Sequence, residues 1–181
     1  MLRITIPETE LFDNKTQTFI YVKQQTLQLE HSLVSLYKWE SKWEKPFLTK
    51  DTMTRAQTID YIRCMTITQN VDPNVYLAIT DAIIEKVDKY VRARMTATWF
   101  SDEGKRKHGK SEIVTAEVIY WWMISLQIPF ECQKWHLNKL LTLIQVCSEK
   151  NAPPKKTNNK EWASQRRALN AARRKSLHTK G

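Results

Sequence analysis

Glycine is almost missing from this chain, which has three in 181 residues. A sequence so short of residues that accept positive φ has little supply for tight hairpins, barrel corners or glycine-lined cofactor loops. Helices are therefore favoured over a sandwich or barrel. Cysteine is equally scarce. Cys64, Cys132 and Cys147 are odd in number and show no C-x-x-C spacing, which fits a reducing cytoplasm better than secretion. Long apolar runs are absent too: the longest, residues 118–124, is about a third of the ~20 residues that a bilayer span needs. The opening MLRITIPETELFD has no apolar signal core. These absences predict a soluble intracellular protein with no membrane partner.

What is present is charge, unevenly placed. The formal net charge is +10, yet residues 155–181 hold nine basic residues against one acid, Glu161. The first 154 residues carry 20 basic against 18 acidic, an ordinary balance. The expected organisation is a globular body over 1–154 and a basic, partly disordered tail or helix over 155–181. Within the tail, 160–175 is rich in helix formers but has only Trp162 and Leu169 as sizeable anchors, so such a helix is marginal alone. Seven tryptophans in the chain are also more than a structural minimum needs.

The first third reads as short strands. Leu2, Ile4 and Ile6 alternate, and the runs FIYV at 19–22 and TLQL at 26–29 follow polar connections. They predict a small antiparallel sheet of two or three strands. From Ser32 the period lengthens: Leu33, Leu36, Trp39 and Trp43 share one helical stripe, ended by Pro46. Glu40 falls inside that stripe and reads as a carboxylate at the core edge, held by a nearby Lys or Arg. Thr54 caps a helix to about Ile67 with Ile59, Ile62 and Met65 inward, and Asp72-Pro73 starts another. Thr80 or Asp81 caps a third, turning Ile83, Ile84, Val87 and Val91 inward. The fold class expected is α+β, mainly α: a small N-terminal sheet on a helical bundle.

Two later segments carry an excess of apolar side chains. EIVTAEVIYWWMISL, 112–126, is apolar at nearly every helical angle, as in a helix central to a bundle or pressed against another molecule. Pro129 opens a second expected helix, PFECQKWHLNKLLTLIQVCSEK, about 30 Å long. Its polar face narrows to Glu131, Lys134, Asn138, Thr142 and Gln145. Bundle core accounts for most of this surface; the remainder could form a groove for a hydrophobic partner.

One motif invites a nucleotide reading. GKRKHGKS, from Gly104 to Ser111, matches G-x-x-x-x-G-K-[ST], in which Lys110 would reach phosphates and Ser111 a magnesium ion. A phosphate-loop enzyme also needs a parallel sheet and a metal-binding acid at a later strand end. No aspartate follows Asp102, so a chance match in a lysine-rich loop is the better reading. Cys132 and His136 stand four apart and would supply half a zinc site, but no second pair has ligand spacing. No nucleophile elbow and no spaced carboxylate pair is present. The expectation is a non-enzyme without metal or cofactor. Nine cations in the tail allow nucleic acid or an acidic protein as partner, though Trp162 alone makes no stacking platform.

The segments LQLEHSLVSLYKWESKWEKPF, IDYIRCMTITQNVDP, EIVTAEVIYWWMISLQIPFECQKWHLNKLLTLIQVCSEKNAPPKK and ALNAARRKSLHTKG resemble a protein of tailed-phage and prophage genomes. The resemblance is to the tail-assembly module, in particular to tail assembly chaperones, and residues 112–156 are its most specific part. It implies binding of the long, apolar tape measure protein in the host cytoplasm, followed by delivery to tail tube protein. Such chaperones often have a frameshift-extended form; no frameshift boundary is visible here. Trp121, Trp122, Trp135, Leu140 and Ile144 are the expected client contacts, and Arg166, Arg167, Arg173 and Arg174 the contacts to a second, acidic surface. The alternatives are a virion structural or head-tail connector protein, a nucleic-acid-binding phage accessory protein and, more remotely, a nucleotide hydrolase.

Overall fold

The computed structural model describes residues 1–14, 16–49, 51–98, 100, 113–152 and 159–177. The phosphate-loop match at 104–111 lies outside them. The chain divides into two units, Met1–Glu149 and Lys150–Gly181. The fold is α+β and mainly helical, with a small antiparallel N-terminal sheet against helices.

The sheet has four strands rather than two or three. β1 (Leu2–Ile6) pairs with β4 (Gln25–Leu29), and β2 (Thr9–Asp13) pairs with β3 (Thr18–Val22). Leu2 opposes Leu29 and Thr9 opposes Val22, so one register runs through both pairs. The result is a single long hairpin, interrupted where Pro7-Glu8 faces Lys23-Gln24. Pro7 has no N–H to give the ladder. Across this break the inward parity changes: Ile4 and Ile6 are buried on β1, while Leu11 is the core-facing residue on β2. Strand β2 escapes a sequence reading because its outward positions are Glu10 and Phe12, so TELFD shows no apolar alternation.

Helix α1 (Leu33–Trp43) starts at Ser32, whose hydroxyl and that of Ser35 form a reciprocal cap. α2 (Arg55–Met65) starts at Thr54, where Gln57 completes the same device. A 3-10 turn, Pro73–Ala78, is capped by Asp72, and α3 (Asp81–Val91) follows Thr80. These starts fall where cap residues precede apolar spacing. Scarcity of glycine shows in the backbone: Gln17, Glu44, Asn70, Met95 and Gln127 all take positive φ.

The C-terminal half of the body departs from expectation. α4 (Ala116–Ser125) begins four residues later than 112, because Thr115 is extended and the Ala116 amide is taken by Glu40. The long helix expected from Pro129 is two pieces, a 3-10 turn Phe130–Lys134 and α5 (Leu137–Asn151). Trp135 between them is extended, since residues 136–137 pair with residues 31–32. The Leu137 amide donates to the His31 carbonyl at 2.7 Å.

Two apolar clusters fill the body. The first joins the ribbon to α2, the Pro73–Ala78 turn and α3 around Ile6, Leu27, Leu29, Ile62, Met65 and Ile79. The second joins α1, α4 and α5 around Leu33, Leu36, Ile119, Met123, Leu137 and Leu140. α1 serves both, giving Trp39 to the first and Leu33 and Leu36 to the second. In the second unit α6 (Asn159–Leu177) is a 19-residue helix. Its described side chains are exposed apart from Ala163.

Candidate partner-binding surface

α4 buries one side through Ala116, Ile119 and Met123. At 100° per residue, Trp121 and Ile124 then face away from the core; they are 63% and 60% exposed. Tyr120, half-buried beside them, extends this face in two directions. Its ring lies 6.2 Å from Tyr37 of α1 and 6.4 Å from Phe130, and its hydroxyl donates to Gln133 at 2.8 Å. Tyr37 and Phe130 are themselves exposed. An aromatic row, Tyr37–Tyr120–Phe130, thus borders Trp121 and Ile124 on the outer face of the second cluster.

Glu40 fixes that face in place. It is buried, and its two carboxylate oxygens accept from the Phe47 and Ala116 amides, each at 2.7 Å. The expected Lys or Arg partner is therefore corrected to two backbone amides. A carboxylate at the first turn of α4 satisfies an orphan N–H and opposes the helix dipole.

The expected client residues divide. Trp121 is on the exposed face, Trp122 is half-buried against the second cluster, and Trp135 is 39% exposed with the Lys139 ammonium 4.3 Å from its ring centre. Leu140 and Ile144 are corrected: at 0% and 7% exposure they belong to the core. α5 turns them onto the second cluster, and its polar wedge covers the chain after α3, where Asn138 donates to the Val91 and Ala93 carbonyls. Arg166, Arg167, Arg173 and Arg174 are exposed on α6.

Sequence reasoning missed Tyr37, Tyr120 and Phe130. Tyr37 could have been found, since it lies off the stripe of Leu33, Leu36, Trp39 and Trp43. Phe130 was hidden by the helix expected through it. A second aromatic patch was also missed, at the ribbon tip, where Phe12, Phe19 and Tyr21 are exposed and Phe12 and Phe19 stand 5.0 Å apart. In FIYV, strict alternation lets only Ile20 and Val22 face inward.

Other sites are less developed. A cleft of about 530 Å³ lies between α2, α3 and residues 47–53, with Phe47, Tyr61, Ile62 and Val87 in its wall and Asp51, Asp88 and Arg92 also lining it. Arg92 is paired with Asp88, and the Tyr61 hydroxyl is engaged by His31 at 2.5 Å. Cys132 and His136 do not share a helical turn, because the chain is extended between them. Both nitrogens of His136 are occupied, Nε2 by the Tyr90 carbonyl and Nδ1 by the Asn138 amide. Among the described residues, no group of three or more His, Cys, Asp or Glu is placed to hold a metal, and no helix is long and apolar enough to cross a membrane.

Comparison with protein-family models, curated proteins and solved structures gives no match.

Proposed function

We propose that the body is a holder of apolar helical polypeptide, using the outer face of α4 and the turn after it. In particular, it acts as a tail assembly chaperone of a tailed phage, keeping the tape measure protein soluble in the host cytoplasm until tube subunits take over. The observation that carries the reading is the exposed strip Trp121, Ile124 and Phe130 beside Tyr37 and Tyr120. A helix that turns Trp and Ile to solvent, when its other face already fills a core, is disposed to meet a second apolar surface.

Magnitudes fit a reversible holder. An interface of ~1,000 Å² at about 25 cal/mol per Å² gives roughly 25 kcal/mol gross. Lost rigid-body freedom opposes this by ~4–15 kcal/mol, and each ordered side chain by about another 1 kcal/mol, so the net affinity is moderate. The α6 arginines would serve a second, acidic contact, for which the tube protein is the proposed partner.

Co-expression with the tape measure protein tests the reading. The expected result is that Trp121→Asp with Phe130→Asp folds as the parent does and leaves the client in the pellet. A folded double variant that still keeps the client soluble overturns the site. Mass spectrometry of purified particles tests the role, because a chaperone is depleted from finished virions and a structural protein is stoichiometric in them.

A further inference from the structure

The two apolar clusters meet across a seam that is polar. His31, Ser32, Ser35, Glu40 and His136 are all buried. His31 bridges the clusters most directly. Its Nδ1 meets the Tyr61 hydroxyl of α2 at 2.5 Å, while its carbonyl accepts the Leu137 amide at the start of α5. The His136 ring stands 5.1 Å from the His31 ring and 5.0 Å from Tyr90, and its Nε2–H donates to the Tyr90 carbonyl at 3.1 Å. Two imidazoles therefore touch inside the body, at the point where β4, α1, α2, α3 and α5 converge.

The groups around the pair offer little to a positive charge. α2 contributes Tyr61 and, behind it, Cys64; α1 contributes Ser35, 3.4 Å from the Tyr61 hydroxyl. Glu40 of α1 is engaged with two amides. The nearest anion on the His136 side is Glu30, which accepts from the Tyr90 hydroxyl at 2.7 Å and pairs with the N-terminal ammonium at 3.0 Å. Tyr90 and Asn138 complete the shell.

We propose that this seam is an acid-operated hinge: protonation of the His31–His136 pair parts the start of α5 from β4, α2 and α3, and the second cluster, which α4 and α5 share with α1, opens with it. Protonated His136 cannot accept the Asn138 amide, and protonated His31 would stand beside a second imidazole with no carboxylate among the described residues bonded to it. The direction of both ionisations agrees. Burial and the neighbouring His136 push His31 down to about 3, and burial pushes His136 below its ordinary value despite Glu30. A group whose pKa is depressed on folding stabilises the fold above its unfolded value near 6.5 and loses that contribution as pH falls toward the folded value. The window here runs from about pH 6.5 down toward 3. The hinge is independent of what the α4 face binds.

Amide hydrogen exchange of the full chain between pH 7 and pH 5, corrected for intrinsic rates, tests it. Below about pH 6.5 each imidazole that protonates on opening raises the opening constant roughly tenfold per pH unit. The expected result is a rise of ten- to a hundredfold per unit for amides of α4 and α5, with β1 and β4 still protected. His31→Gln and His136→Gln, which cannot charge, each lower that slope by about tenfold per unit. A slope retained in both folded variants, or equal loss across both clusters, overturns the hinge. Should the variants not fold, imidazole C2-proton titration of the parent decides. His31 and His136 are expected to stay neutral while the body is closed, and ordinary titration of all four histidines near 6.5 in the folded chain overturns the proposal.

Discussion

The carboxylate of Glu40 accepts the backbone N–H of Ala116 at 2.7 Å, across 76 residues of sequence. A side chain in the middle of α1 thereby does for α4 what a local cap does for an ordinary helix. Its other oxygen holds Phe47, whose ring lies 4.1 Å from Tyr61. One carboxylate thus ties α4 to the wall of the first cluster.

Glu40→Ala removes the acceptor for two amides, one of them buried at the α4 start. Each unsatisfied buried N–H costs about 1–3 kcal/mol, so a loss of roughly 2–4 kcal/mol is expected in urea denaturation. Glu40→Gln replaces one acceptor by a donor facing a donor and is expected to lose about half as much. A change below about 0.5 kcal/mol for the alanine variant contradicts this role.

How much of this could be read in advance depended on range. Helix starts at Ser32, Thr54, Asp72 and Thr80 were legible, because a cap and its apolar spacing are written within a few residues. The break at Trp135 was not legible. Residues 129–150 satisfy helical spacing throughout, and only the pairing of His136 with Ser32 across 104 residues overrides it. The apolar excess around Trp121 is visible in the sequence, but the burial of Leu140 and Ile144 is not. Composition counts apolar residues without saying which face a neighbour covers. Strand β2 and the aromatics at the ribbon tip were lost for a related reason: an exposed Phe12 looks like noise until its partner Phe19 is opposite it.

Gln127 occupies the position after α4 where glycine is ordinarily found. Its φ is 54°, and the Ile128 amide returns to the Met123 carbonyl at 2.8 Å while the Gln127 amide meets that of Ile124 at 3.1 Å. This is a Schellman closure without its glycine. The left-handed conformation costs a non-glycine residue about 1–2 kcal/mol, against which glycine gives back roughly 0.5–1 kcal/mol in the unfolded chain. Gln127→Gly is expected to stabilise by about 0.5–1 kcal/mol and raise Tm by roughly 1–4 °C. Gln127→Val is expected to lower it, and calorimetry on the pair checks the sign.

Phe12 and Phe19 are directly opposed on the solvent face of the ribbon, with their rings tilted at 58°. Because both are exposed, each alanine variant alone is expected to cost less than about 1 kcal/mol. Their coupling in a double-mutant cycle is expected at roughly 0.5–1 kcal/mol, the range for cross-strand aromatic pairs. Zero coupling means that the register seen across Thr9–Asp13 and Thr18–Val22 does not persist in solution.

Leu140 and Trp121 separate what holds the body together from what its outer face offers. Leu140 is enclosed by the second cluster, so Leu140→Ala leaves a cavity and is expected to cost about 2–5 kcal/mol. Trp121 lies on the opposite side of that cluster's wall and loses little support on truncation, so Trp121→Ala is expected to stay within about 0.5 kcal/mol of the parent. Client holding is expected to invert the order. Trp121→Ala weakens it at least tenfold with an unchanged melting curve, whereas Leu140→Ala, assayed well below its lowered Tm, retains it. If Leu140→Ala abolishes holding while still folded and Trp121→Ala does not, the contact surface is the inner face of α5, and a client must open the second cluster to reach it.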